Sequence, residues 1–324
     1  MPKVKQRSLP SNERIRLIQS LNELGLKVWH QNWRKNMALP KSLPISERES
    51  VVRFLLLRAL LNQQGDTEKV KKLVQELFSE FGKDLLHNPI MVERQFDRAL
   101  KVFYRIGGKR GAEVYRIGAL GGIKPLSLFL YRFAAFAFFL HCCNESLYGI
   151  AKSKLANGGV HTLWTFFRDD PILDGGWVGN DPKAARMLTN WLVWLFTEVW
   201  REVEVNLMET VMVVDGHVGK VFCRTGALEE IAYEAKRPFI IVAKDIRNPI
   251  EQLVKATPKA IPAFVDEAAF HVARSWCYDT DPKCNECPLH SLCLAGRGSS
   301  EHLRWTAYRA TDRPITGHQA GEML

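Results

Sequence analysis

The stretch CYDTDPKCNECPLHSLC, residues 277–293, places four cysteines at gaps of six, two and five residues. Thiols this crowded need a common partner, and whatever they hold fixes the path of the loop. The chain has seven cysteines, an odd number, and its N-terminus MPKVKQRSLPSNERIRL lacks the apolar core of a secretion signal. A disulfide scaffold is therefore not expected, and the thiols read as those of a reduced, intracellular protein. Structural zinc usually takes two short C-x2-C knuckles, and only one is present, at Cys284 and Cys287. The two-two-three spacing of bacterial ferredoxins does not match either. A loop with gaps of six, two and five can reach all four corners of one cubane. The spacing thus favours a 4Fe-4S cluster on Cys277, Cys284, Cys287 and Cys293 over zinc. Cys142, Cys143 and Cys223 lie in apolar stretches and read as small core residues.

A formal net charge of +10 favours an anionic partner, nucleic acid being the commonest. The longest apolar run, LFLYRFAAFAFFLHCC, is interrupted by Arg132 and is short for a bilayer span. Helical periodicity dominates and strand-like alternation is scarce, so an all-α fold is expected. Helices are expected over residues 11–35, 49–64, 66–82, 90–106, 125–142, 145–154 and 160–168, punctuated by glycine pairs. Another is expected over 180–200, with Asp181 as its cap. This last segment is apolar nearly all round and predicts a helix through the middle of a lobe. The segment ALPKSLPISERES carries two prolines and reads as a connector.

The cysteine spacing resembles the iron–sulfur loop of endonuclease III and its relatives, DNA glycosylases of the helix-hairpin-helix superfamily. Three segments upstream resemble that family in the same order. In LLNQQGDTEKVKKLVQELF, Gln64 falls on the glutamine that enters the duplex when a base is extruded. GNDPKAARML aligns with the hairpin motif LPGVGRKTA, matching Gly179 to its first glycine and Lys183 to the lysine of the lyase members. This chain has Trp177 and Val178 for the leading Leu-Pro, and Asp181 for the second glycine. VMVVDGHVGKVFCRTGAL resembles VDTHIFRVCNRT, with Asp215 on the family aspartate and His217, Lys220 and Arg224 in step.

The resemblance spans residues 54–82, 177–195, 211–228 and 271–293. It implies a two-lobed fold: a helical barrel at 51–206, and a cluster domain joining 1–50 to 207–324. It implies DNA base-excision repair of duplex DNA, with Asp215 supporting the sugar cation and Lys183 forming a Schiff base that gives lyase activity. Gln64, Gly179, His217 and Lys220 would contact DNA lying across a cleft between the lobes. The alternatives are a glycosylase without lyase activity and a non-catalytic iron–sulfur DNA-binding or redox-sensing protein. The expected state is a monomer in the cytoplasm, on the nucleoid if the cell is prokaryotic. Trp164, Trp177, Trp191 and Trp194 read as core or base-pocket residues in the longer stretches from Gln64 to Lys183 and from Lys183 to Asp215.

Overall fold

A computed structural model describes residues 4–5, 7–62, 65–88, 94–108, 111–115, 124–143, 145–174, 182–228, 230–231, 239–241 and 243–307. The fold is all-α, with four two-residue strands among the described residues. The chain forms two compact units: residues 1–31 with 208–324, and residues 32–207.

The second unit is built on two helices buried almost all round. After α1 (Ser11–Asn36), helix α2 (Arg48–Leu61) buries eleven of its fourteen residues. Around it lie α3 (Thr67–Phe81), α4 (Asp84–His87), α5 (Phe96–Gly107), α6 (Pro125–Cys142), α7 (Leu147–Arg168), α8 (Pro171–Asp174) and α9 (Lys183–Trp194). Asp66 caps α3 by accepting from the amides of Glu68 and Lys69, at 3.0 Å each. Helix α7 runs through both expected segments and kinks at Gly159 (φ 68°).

Helix α9 starts two residues after Asp181, with Pro182 at the cap position. It buries ten of its twelve residues, as its apolar sequence predicts. It does not continue as an α-helix to residue 200: Leu195–Val199 form a π turn, closed by Trp200 N–H on Leu195 O at 2.7 Å. The wider turn sets Phe196 and Trp200 both against Tyr148, with centroids 5.4 and 5.7 Å away.

The buried charge of Arg58 lies over the Trp191 ring at 4.1 Å, a favourable contact once water is excluded. Trp191 and Trp194 are core residues; Trp164 is half-buried, with Arg168 4.3 Å and Arg186 5.1 Å from its ring. Cys142 is exposed, contrary to the expectation of a core residue, because it falls on the outer face of α6. Cys223 is fully buried, and Cys143 is half-buried.

Residues 32–50 belong with the second unit rather than with the cluster-bearing one. Their backbone is held there by side chains. Arg34 donates to Pro40 O and Leu43 O, both at 2.8 Å, Gln75 to Ala38 O at 3.1 Å, and Trp200 Nε1 to Ile45 O at 3.0 Å. A proline-rich connector read only from composition gives no sign of such anchors.

In the first unit, α10 (Gly216–Thr225) packs on α11 (Ala243–Ala256) and on α12 (Pro262–Ser275), with α13 (Ser300–Leu303) beside it. The core joins Leu17, Ile18 and Leu21 of α1 to Val218, Val221 and Phe222 of α10 and Val265, Ala268, Ala269 and Val272 of α12. Alanine on α12 allows close approach, and Gly25 makes it closer still. A Cβ at Gly25 would stand 1.9 Å from the Phe264 carbonyl oxygen. Strand β1 (Val4–Lys5) pairs antiparallel with β2 (Glu230–Ile231), and β3 (Phe239–Ile240) pairs parallel with β4 (Trp305–Thr306).

Helix α6 is long and apolar enough to cross a membrane by length and composition, and half of it is buried within the protein. Arg132, which interrupts its sequence, is itself buried, 5.1 Å from the Tyr115 ring.

Candidate metal centre

Helix α10 organises the site. Asp215 caps it from an extended backbone, its Oδ1 accepting from His217 N–H at 2.9 Å and Val218 N–H at 3.0 Å. Acid at the first turn and base at the last match the helix dipole. At the other end Gly226 takes the left-handed conformation (φ 78°) that closes the helix, and its missing Cβ leaves room for Leu294. The chain after the cysteine loop returns to this end: Leu294 N–H donates to Thr225 O at 3.1 Å and Ala295 N–H to Arg224 O at 3.0 Å.

Lys220 and Arg224, one turn apart on α10, both point inward, and each is 1% exposed. Lys220 Nζ lies 3.2 Å from Asp279 Oδ1, which also accepts from Thr306 Oγ1 at 2.7 Å and Ala307 N–H at 3.0 Å. Burial would raise the Asp279 carboxyl pKa; Lys220 and these two donors outweigh it and hold it below the usual range. Burial lowers the Lys220 pKa against the opposing pull of Cys277 and Asp279. Lys220 therefore has no access to a phosphate, and its expected role in DNA contact is replaced by a buried ion pair.

Arg224 ties α10 to Cys277, Tyr278 and Asp279 of the loop and to Trp305. Its Nε donates to Trp305 O at 2.8 Å, and Nη1 donates to Tyr278 O at 2.6 Å and to Cys277 Sγ at 3.6 Å. Nη2 donates to Asp279 O at 3.2 Å. The planar fork suits this fan of carbonyls as a lysine would not.

The four cysteines line one small hollow that opens to solvent. Its other walls include Val221, Val272, Trp276 and Leu289. Cys277 follows the end of α12 and Cys284 opens a short 3-10 turn. Cys287 N–H bonds Cys284 O at 3.2 Å, and Gly296 N–H donates to Cys293 Sγ at 3.4 Å. Burial pushes the Cys287 thiol up to about 11, with a bond from Leu289 N–H opposing and Cys277 and Cys284 adding. Cys293 rises to about 12 by burial, with Gly296 N–H opposing and the other three cysteines adding. Cys284 is raised by burial and by Cys277.

These thiols sense one another in an apolar hollow that penalises the thiolate form. A positively charged metal centre removes that penalty, and the donor set of four sulfurs suits iron or zinc. Among the described residues no three or more His, Cys, Asp or Glu side chains converge as ligands of a single ion.

Of the remaining expected residues, His217 is half-buried with its ring edge-on to Phe270, centroids 5.6 Å apart. Lys183, the first residue of α9, is half-buried and lies in the second unit. Gln64, Gly179, Trp177 and Asp181 lie outside the described residues. Asp215, His217, Lys220 and the four cysteines thus share one unit.

Arg224 and Asp279 are the organising residues that sequence reading undervalued. Arg224 stood out only as one residue in step with a segment. No family model matches the chain, and no curated protein matches it in sequence.

Proposed function

We propose that the protein is an iron–sulfur DNA glycosylase acting on a damaged or modified base in duplex DNA. The observation that carries this reading is helix α10. It has Asp215 at its first turn, and at its far end the residues that order a four-thiol pocket. Ten residues span about 15 Å, so one rigid element ties the carboxylate to the loop. The fold proposed with this function is the two-lobed helix-hairpin-helix arrangement, and the net charge of +10 supports a phosphate-rich partner.

Cys277, Cys284, Cys287 and Cys293 would hold a 4Fe-4S cluster, and the bound cluster supplies four iron–thiolate bonds that cross-link the loop. The side chains of this chain do the rest. Asp215, fixed by two backbone amides, offers negative charge to the cation that develops at the sugar C1′ as the base departs. Lys183 would bond to the same carbon as the base leaves; the bond from C1′ to the ring oxygen then breaks, the amine proton passes to that oxygen, and the resulting imine allows elimination of the 3′ phosphate.

The test is a pair of variants on duplexes that each carry one lesion. Lys183→Gln should abolish borohydride trapping on DNA and keep lesion binding. Asp215→Asn should slow base removal on the order of a hundredfold or more. An unimpaired Asp215→Asn rejects the assignment of the carboxylate. Binding without base removal by the intact, iron-loaded protein on every lesion would favour the non-catalytic iron–sulfur DNA-binding reading.

A further inference from the structure

Helix α6 buries one face in the second unit and presents the other to solvent. Ser127, Tyr131, Ala134, Phe138, His141 and Cys142 are exposed, Tyr131 by 59% and Phe138 by 57%. At 3.6 residues per turn these positions fall within a stripe about 100° wide. The stripe contains no Lys, Arg, Asp or Glu, although it carries two large aromatic rings. Large apolar groups aligned and free of charge mark a contact surface rather than ordinary solvent exposure.

The pattern has a centre. Ala134 and Ala135 lie on either side of the midpoint, Tyr131 and Phe138 are equidistant from it, and so are Ser127 and Cys142. Farther out, equally spaced from the midpoint in sequence, stand exposed Lys124 at the N-cap and exposed Glu145, three residues past the end of the helix. We propose that this face is the two-fold contact between two copies of the chain, with the α6 helices antiparallel.

In that contact Ser127, Tyr131 and Ala134 each meet the equidistant residue of the second copy, as an isologous interface requires. Tyr131 packs on Phe138 of the second copy, alanine meets alanine where the helices approach most closely, and Lys124 meets Glu145 at both ends. The rings gain burial, and the two ion pairs set the antiparallel direction. A nucleic acid finds no lysine or arginine on the stripe itself. A bilayer would have to accept an acidic end beside Glu145. One helix pair covers less than a standard interface, so the dimer belongs to the weak, concentration-dependent class.

Sedimentation velocity on the full iron-loaded chain tests this, with circular dichroism to confirm that each variant is folded. The weight-average mass should rise from 37.0 kDa towards twice that value as concentration increases. Phe138→Glu and, independently, Tyr131→Glu should each raise the dimer dissociation constant at least tenfold. Lys124→Glu should weaken association severalfold, and Lys124→Glu with Glu145→Lys should restore it. A protein that stays monomeric at all concentrations overturns the proposal. So does a dimer that tolerates both glutamates, or one in which charge reversal is not rescued. Phe138-dependent flotation with phosphatidylglycerol vesicles, without self-association, assigns the face to a membrane and overturns it too.

Discussion

Replacing Lys220 by methionine distinguishes a buried strut from a DNA contact. The ammonium is 1% exposed and 3.2 Å from Asp279 Oδ1. Removing one partner of a buried pair typically costs about 3–5 kcal/mol, because the other charge is stranded. Asp279 keeps its bonds to Thr306 Oγ1 and Ala307 N–H, and its side chain is 17% exposed, so some water reaches it. A loss of about 2–4 kcal/mol is therefore expected for Lys220→Met, at the low side of that range. Asp279→Asn should cost a similar amount, since the amide oxygen can still accept both hydrogen bonds while Lys220 loses its counter-charge.

The double variant should be less destabilised than the two single losses added together. An interaction of about 1–3 kcal/mol is expected between groups in direct contact. Urea denaturation of iron-loaded protein reads this as a shift in midpoint at unchanged slope. The complementary measurement is DNA affinity against salt. A phosphate contact through Lys220 would lower the slope of log K against log salt by about 1 when the residue is replaced. The buried pair requires that slope to stay where it is. A stable Lys220→Met protein with a reduced salt slope would refute the inward placement and return the side chain to the DNA surface.

Purified protein should be brown with about four irons per chain, and Cys284→Ser should lose most of that iron; stoichiometric zinc after growth with ample iron would reject the cluster. Gly25→Ala should destabilise by about 3 kcal/mol in urea, because the new Cβ meets the Phe264 backbone at 1.9 Å and α1 must lift from α12; a neutral result would mean that the helices are not so close. Glu49 accepts from Ser146 Oγ and from the amides of Leu147 and Tyr148, and pairs with Arg53. Burial raises its pKa, but Ser146, Tyr148 and Arg53 outweigh burial and leave it depressed. Its stabilisation is then present above the ordinary glutamate pKa near ~4.3 and is lost as pH falls through the lower folded value. Glu49→Gln should flatten the acid limb of the stability curve below about pH 4.3, and an unchanged limb would show that the carboxylate is not held as described.

What could be read from sequence follows a physical line. Features decided within one turn of chain were legible: the Asp66 cap of α3, the Asp215 cap of α10, and the interruption at Gly158–Gly159 that becomes the kink of α7. The cysteine loop was legible because four ligands in seventeen residues leave few foldings open. Features decided by distant packing were not. Cys142 sits in an apolar run yet is exposed, since an amphipathic face depends on which side of α6 the unit covers. The carbonyls that anchor residues 38–45 are claimed by Arg34, Gln75 and Trp200, the last two far away in sequence.

Helix α10 shows where the two kinds of information meet. Acid at the N-cap and a cation in the last turn are what any stable helix prefers, so Asp215 and Arg224 would sit comfortably on a solvent-exposed helix too, with Lys220 near its middle. Burial separates the cases. An exposed Lys220 would gain little from Asp279; buried, it makes the fold depend on an acidic residue two positions from a cysteine. Arg224 extends the same dependence to the backbone of Tyr278 and Asp279 and to the sulfur of Cys277. The loop is thus fixed to α10 through charge as well as through chain. A disturbance of the thiol pocket should therefore be felt along α10, at whose far end Asp215 holds the first amides in place.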